Sequence, residues 1–361
     1  MPALISPQVY IEEVDKTSYA GTSMGPIGAI VLRNTYKGRE SDKVLVTNET
    51  ELITNFGRPT SDADCYCDML SAIGFLTESN NLYCTRTMSL SSTFAGTTVG
   101  TSGTSATCTA FTYSNAPILS TTISGQVGDP DEYPDYTTVT GGNIMKIIAK
   151  DRGYSGNLIR VALCDKTNYD LIRSKTGNTD WETYGAIYSV DGPLETTKEF
   201  LIVVQACGQS QDTATDANWT TVEWWNVSTD PNKVDDVGQL MYVETVVNNN
   251  SDYIRVAFNN TLDNTPIVAL ANAEWQVLGG GRNNDTAIVT ADAATAGAIS
   301  NTTLLAAVDL YNNEEEIDLD VIIDSDKPQA IKNEMITVAS TRKDCMAILD
   351  CLSTHVVNQN G

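Results

Sequence analysis

A chain of 361 residues, 41% of them hydrophobic, carries enough apolar material for two or three domains, which excludes wholesale disorder. Its 22 basic residues face 46 acidic ones, for a formal net charge of −24. A surface of that sign repels phosphate backbones and anionic lipids, so neither nucleic acid nor a membrane is an expected partner.

The acidic residues are dispersed, the longest run being Glu314, Glu315 and Glu316, so the charge reads as a solubility device and not as an acidic tail. No segment reaches the ~20 apolar residues that span a bilayer. The opening MPALISPQVYIEE lacks the basic start and apolar centre of a signal peptide, which predicts a protein made in a cytoplasm. The eight cysteines follow no repeated spacing and are expected to be free, buried thiols.

In chain order, residues 5–14 (ISPQVYIEEV) alternate apolar and polar at Val9, Ile11 and Val14, with one apolar face and with Pro7 near the start. This predicts an extended strand in need of a sheet, either its own or a neighbour's. The small-residue stretch TSYAGTSMGP follows as a hinge, so residues 1–20 read as a linking arm. Residues 21–88 read as a small α/β domain. It has strands at 28–34 and 43–47, a helix capped by Asn48 with Glu51 completing a capping box, and the turn FGRP at 56–59. A second helix over 62–78 is expected to bury Met69, Leu70, Ile73, Gly74 and Leu76, and a strand follows at 81–88.

Residues 89–142 are rich in Ser, Thr and Gly, then acidic and turn-rich, and predict an inserted β-rich outer domain. Residues 143–361 read as a larger α/β domain. Two strands flank a connection through Gly153 and Gly156, and further strands lie at 199–207 and 221–231. A short helix and strand occupy 242–258. The turn Gly279-Gly280-Gly281 then leads to a helix from about Thr290 to Asn312. A βαβ unit closes the chain: strand 317–324, helix 328–340 with Pro328 in its first turn, strand 345–352. Two parallel strands alone are too few for a finished sheet, so the natural protein is expected to continue past residue 361. The fold class expected is thus α/β and α+β, multidomain, with mixed sheets and an extended N-terminal arm.

Catalytic patterns are weak. GGGRNNDT lacks the Lys-Ser/Thr that ends a phosphate loop. Cys65 and Cys67 are separated by one residue, which suits neither zinc nor redox chemistry. His355 is the only histidine, in the short stretch after the last strand. The acidic loop 129–135 does not have EF-hand spacing, and Trp219, Trp224 and Trp225 read as core or interface anchors more readily than as a sugar platform. No catalytic residue, cofactor or metal is assigned.

As an ordered series, these segments resemble the contractile tail sheath proteins of bacteriophages. SPQVYIEEVD (6–15) is similar to the family's opening SPGV-x-x-x-E. KVLVTNETELITNFGRP (43–59), after GAIVLRN (28–34), resembles its V-T-x-x-x-E-L-x-x-x-F-G-x-P stretch, and the match continues through GFLTESNNLYCTRTM (74–88). AKDRGYSGNLIRVAL (149–163) resembles a Y-x-G-x-x-G-N-x-I-x-V element. VEWWNVSTDP (222–231), YVETVVNNNSDYI (242–254) and LGGGRNND (278–285) with the closing βαβ unit follow in the family's order. Only 89–142 falls outside, where the family inserts variable outer domains. The loop NTYKGRESD (34–42) is more charged than the family's Gly-Pro turn.

The resemblance implies a structural subunit and not an enzyme. Its partners would be copies of itself in helically stacked hexameric rings, a tail tube protein, and baseplate and tail terminator proteins. Contraction would drive the tube through the host envelope for genome ejection, without a cofactor. The protein would be assembled in a bacterial cytoplasm and reside in the virion. R-type bacteriocins and type VI secretion machines hold relatives of the same kind. The arm residues Ile5, Pro7, Val9, Tyr10, Ile11 and Val14 would join a neighbour's sheet, and the family's tube-contacting region would lie beyond residue 361. An adhesin or fibre, suggested by the Ser/Thr/Gly-rich region, and a tail-associated hydrolase are the alternatives.

Overall fold

The computed structural model describes residues 25–40, 42–89, 92–102, 105–113, 143–165, 198–209, 211, 213, 215–260, 263, 275–283 and 299–351. The expected arm positions Ile5 to Val14, the loop 129–135, and His355 lie outside the described residues, as does 290–298 of the predicted long helix. No helix among the described residues is long and apolar enough to cross a membrane. The architecture is mixed α/β, with one mixed sheet and two antiparallel ones.

The first sheet begins with β1 (Gly28–Arg33), whose run GAIVLR is buried throughout, as expected of a strand covered on both faces. Next come β2 (Val44–Val46), α1 (Glu49–Phe56), α2 (Ala63–Leu76) and β3 (Leu82–Thr87). Asn48 caps α1 by accepting from the Glu51 amide at 2.9 Å. The Glu51 carboxylate returns to the Thr47 amide and hydroxyl, so the reciprocal bond closes one residue before the capping-box position. Gly57, at φ +82°, ends the helix in a conformation that suits glycine.

The inward stripe of α2 differs from the predicted one. Cys65, Asp68, Met69 and Ala72 are buried, whereas Leu70 is 45% exposed. The helix is turned so that Asp68 reaches Arg33 at the end of β1.

The chain returns to this sheet more than 230 residues later. Here α4 (Asn301–Asp309) leads into the closing βαβ unit of β12 (Val321–Ile323), α5 (Gln329–Arg342) and β13 (Met346–Ile348). The unit is not a separate two-stranded sheet. Strand β12 pairs in parallel with β1 from Gly28↔Val321 to Ile30↔Ile323, giving the order β13-β12-β1-β3-β2 with only β2 antiparallel. The unfinished sheet inferred from the sequence is therefore completed by strands near the other end of the chain. That pairing leaves no trace in local periodicity. Helices α1 and α2 cover one face over Ile30, Leu32, Leu82 and Ile323. Helices α4 and α5 cover the other over Ala29, Val31 and Ile322.

Between these halves lie two four-stranded antiparallel sheets. One comprises β4 (Phe94–Ser102), β5 (Ser105–Tyr113), β6 (Asn143–Ala149) and β10 (Ile254–Phe258), in the order β10-β6-β4-β5. The other comprises β7 (Ile159–Asp165), β8 (Glu199–Cys207), β9 (Trp219–Ser228) and β11 (Gln276–Val277), in the order β11-β7-β8-β9. Their inner faces share one core that includes Met145, Ile147, Val161, Leu163, Ile202 and Val256, with α3 (Val243–Asn250) packed through Val243 and Val247. Alternate residues of β7, β8 and β10 enter the core (Ile159, Val161 and Leu163; Phe200, Ile202 and Val204; Ile254, Val256 and Phe258), as the two-residue period of a strand requires. Strand β4, within the expected insertion, pairs with β6 and belongs to this shared core.

Two joints, one buried and one at the surface, fasten the sandwich to the α/β sheet. Arg86, in β3, donates to Thr35 Oγ1 and O, Gly38 O and Arg152 O, and Arg152 in turn pairs with Glu40 and donates to Ser89 O. At the second joint the Gln209 side chain accepts from the Arg58 amide at 2.7 Å and donates to the Arg58 carbonyl at 3.2 Å. The FGRP turn is thus the seat for the end of β8.

Candidate functional site

Helices flank opposite faces of the parallel sheet on either side of the β1–β12 pair. The carboxyl ends of these two strands therefore form the crevice where open α/β sheets commonly bind ligands. Here the crevice is filled. Asp68 of α2 accepts from the Arg33 amide (2.7 Å), Arg33 Nε and Nη2 (2.9 Å each), Lys327 Nζ (3.2 Å) and the Ser325 hydroxyl. Both Asp68 and Lys327 are fully buried. Burial lowers the Lys327 pKa, partly offset by Asp68. Burial also works against the Arg33 charge, but the hydrogen bonds and charge of Asp68 outweigh it, so Arg33 titrates above its ordinary range. Every charge meets an opposite one inside the cluster, and the arrangement braces α2, β1 and the β12–α5 connection.

The open feature of this sheet is its edge. Strand β13 pairs with β12 on one side, through Met346 N to Asp320 O (2.9 Å) and Asp324 N to Ile348 O (3.0 Å). By the alternation of a strand, the Ala347 N–H and C=O point to the opposite side, where no described strand pairs with them. Ala347, Cys345 and Leu349 pack toward the core under α4 and α5. Met346 and Ile348 project from the other face and are 62% and 52% exposed. Their β12 neighbours on that face, Val321 and Ile323, are buried in the core of α1 and α2. The helices thus stop one strand short of the edge.

The remaining candidates are used internally. Gly279 exchanges backbone hydrogen bonds with Gly96 at 2.8 and 3.1 Å, and the Asn157 side chain holds Gly281 N (2.9 Å) and O (2.8 Å). The triple glycine is therefore a crossing between the two sandwich sheets, where a Cβ on Gly281 would strike the Gly153 carbonyl. Trp219 is buried with its ring 4.6 Å from the Arg160 guanidinium carbon, and Trp225 packs on the sandwich core, whereas Trp224 is exposed. Cys65, Cys84, Cys164 and Cys207 are buried as expected, but Cys67 and Cys351 are exposed.

No family model and no curated protein sequence matches this chain. Among solved structures, the chain is similar to sheath tail proteins. One, from Desulfitobacterium hafniense, has 14% identity and a TM-score of 0.44, with 95% of this chain and 52% of that one covered. Another, from Listeria innocua, has 11% identity and a TM-score of 0.44, covering 89% of this chain and 46% of that one. The chain spans about half the length of the sheath tail proteins it matches.

Sequence reading placed a strand at the β13 position but treated it as part of an incomplete sheet. That Met346 and Ile348 face solvent follows from where α2 ends across the sheet, a fact with no local signal. The cluster around Asp68 was missed altogether. Its one trace is an aspartate at the centre of the helix face that buries Cys65, Met69 and Ala72.

Proposed function

We propose that this chain is a structural subunit of a contractile tail sheath. Its copies would stack as hexameric rings around a tail tube and contract to drive that tube through a host envelope. The observation that carries this reading is the edge of β13, whose outer backbone groups pair with no described strand and lie beside two exposed apolar side chains. Such an edge takes up an extended strand by main-chain hydrogen bonding, with side-chain pockets setting the register. Segment 5–14 has the pattern of such a strand, with Val9 and Ile11 on one side and Pro7 at its start. The stretch after it is about nine residues long and reaches roughly 30 Å when extended, enough to cross to an adjacent copy. The arm of one subunit then occupies the β13 edge of the next, and repetition of that contact builds an open helical assembly. The tube, baseplate and terminator proteins are the further partners this role requires.

A hydrolase would require carboxylates free to act on a substrate, whereas Asp68 and Asp324 are committed to buried cations. Negative-stain microscopy of the purified protein tests the reading: regular tubes or stacked rings are expected. Removal of residues 1–16, or the double substitution M346D/I348D, should leave a folded monomer that does not polymerise. A protein that never polymerises, or one whose polymers survive both changes, would overturn it.

A further inference from the structure

Strand β13 has only three residues, yet an ion pair brackets it at each end, and both cations come from one helix. Before the strand, Asp344 binds Arg342 through two hydrogen bonds of 2.9 and 2.8 Å. Arg342 also donates to the carbonyls of Tyr311, Asn313 and Ile317, so its guanidinium is fixed to the connection before β12. After the strand, Asp350 binds Lys332, which also binds Asp324. The Asp350 carboxylate accepts from the Asp326 amide at 2.7 Å as well. Arg342 and Lys332 are buried, whereas Asp344 and Asp350 are 39% and 45% exposed in their side chains. Each clasp thus has an inner, fixed cation and an outer, solvent-reachable carboxylate.

We propose that these two clasps form a releasable fastening. Neutralising Asp344 and Asp350 frees β13 from β12 while the other four strands of the sheet stay folded. The strand is held otherwise by a short run of parallel hydrogen bonds and by Ala347 and Leu349 at the margin of the core. Elements with few buried contacts open locally well below the free energy of global unfolding. The charged groups facing Asp350 are Lys332 of α5 and Asp324 of the β12–α5 connection, and Asp344 faces Arg342 with Cys345 beside it; Lys327 acts on Asp324 and Glu314 on Arg342. Loss of either carboxylate charge leaves its inner cation facing a weaker acceptor. The proposal concerns the single folded chain and holds whether or not β13 accepts a neighbour's strand.

Amide hydrogen exchange on the D344N/D350N double variant tests it. The Met346 amide, which donates to Asp320 O, should exchange at least tenfold faster than in the unsubstituted protein. The β1 amides of Ile30 and Leu32 should stay within twofold. An unchanged Met346 rate would show that packing alone holds the strand and would overturn the proposal. Equal acceleration of Met346 and the β1 amides would overturn it too, by making β13 part of one cooperative sheet. If the double variant does not fold, the single variants D344N and D350N are read against the same two criteria.

Discussion

Asp68 illustrates how one buried carboxylate can organise several elements. It joins α2 to the end of β1 and to the segment after β12, positions 35 to 259 residues apart in sequence. Removing it leaves the buried Lys327 without its ion-pair partner and Arg33 with Asp64 in place of two carboxylates, an arrangement that costs about 3–5 kcal/mol. The D68A variant should therefore lose stability of that order in chemical denaturation, with D68L no better because the cations remain. Gly153 is a second such position. At φ +112° its backbone disfavours a side chain, and an added Cβ would lie 2.5 Å from Asn283 Oδ1. Asn283 bridges the Tyr154 amide to the Asn34 carbonyl, so the substitution strains the joint between sandwich and sheet. G153A should be destabilised by roughly 1–3 kcal/mol, read as a lowered denaturation midpoint.

Among the elements, helix α1 and strand β13 behave differently. The α1 start is set locally by the Asn48 cap, and N48A should cost about 1 kcal/mol. Strand β13 depends on its clasps, and those depend on pH. Asp344 is held below its ordinary pKa by its hydrogen bonds with Arg342, and Asp350 well below by its hydrogen bonds with Asp324 and Lys332. A carboxylate of this kind gives its full contribution above its unfolded pKa of about 3.9 and loses it as pH falls through the lower folded value. Burial works against the Lys332 charge, but its two aspartates raise its pKa overall. Its share is therefore lost only as pH rises past a folded pKa above about 10.4. Asp324 runs the other way: burial raises its pKa, so it takes up a proton before Asp350 does. Protection of the Met346 amide, corrected for intrinsic exchange, should be greatest around neutral pH and fall as the carboxylates take up protons in acid. A gain of protection as pH falls from neutrality would contradict the assignment.

At the level of the whole molecule, the −24 charge opposes association of identical chains. The assembly proposed above would then draw its contacts from uncharged features such as the β13 edge with Met346 and Ile348. Screening lengths shrink from about 30 Å at 0.01 M salt to about 8 Å at 0.15 M. The critical concentration for polymerisation should therefore fall severalfold over that range, measured by sedimentation. A rise with salt would mean that oppositely charged patches and not apolar edges hold the copies together. The Arg86 and Gln209 joints bind the sandwich to the sheet at two separate places in the sequence, so both should unfold in a single calorimetric transition.

Much of the element order was legible in the residues themselves. The apolar run GAIVLR, the Asn48 cap, the Gly-rich connection at 153–156 and the closing βαβ pattern are local signals, written in periodicity and backbone preference over a few neighbours. The division into units was not. Two α/β halves separated by a long β excursion read as separate, yet β1 and β12 lie side by side in one sheet. Likewise β4 reads as part of an insertion, yet it shares a core with β6 and β10. The α2 stripe was misjudged because hydrophobicity alone does not reveal that an aspartate faces inward to meet an arginine 35 positions away. Strand pairing and buried ion pairs are contacts between distant segments, whose free energy comes from desolvation and geometry realised only after collapse. The sequence by itself determined the local elements and the strongly acidic surface. Tertiary structure alone decided which strands became neighbours, which crevice was filled and which edge no described strand covers.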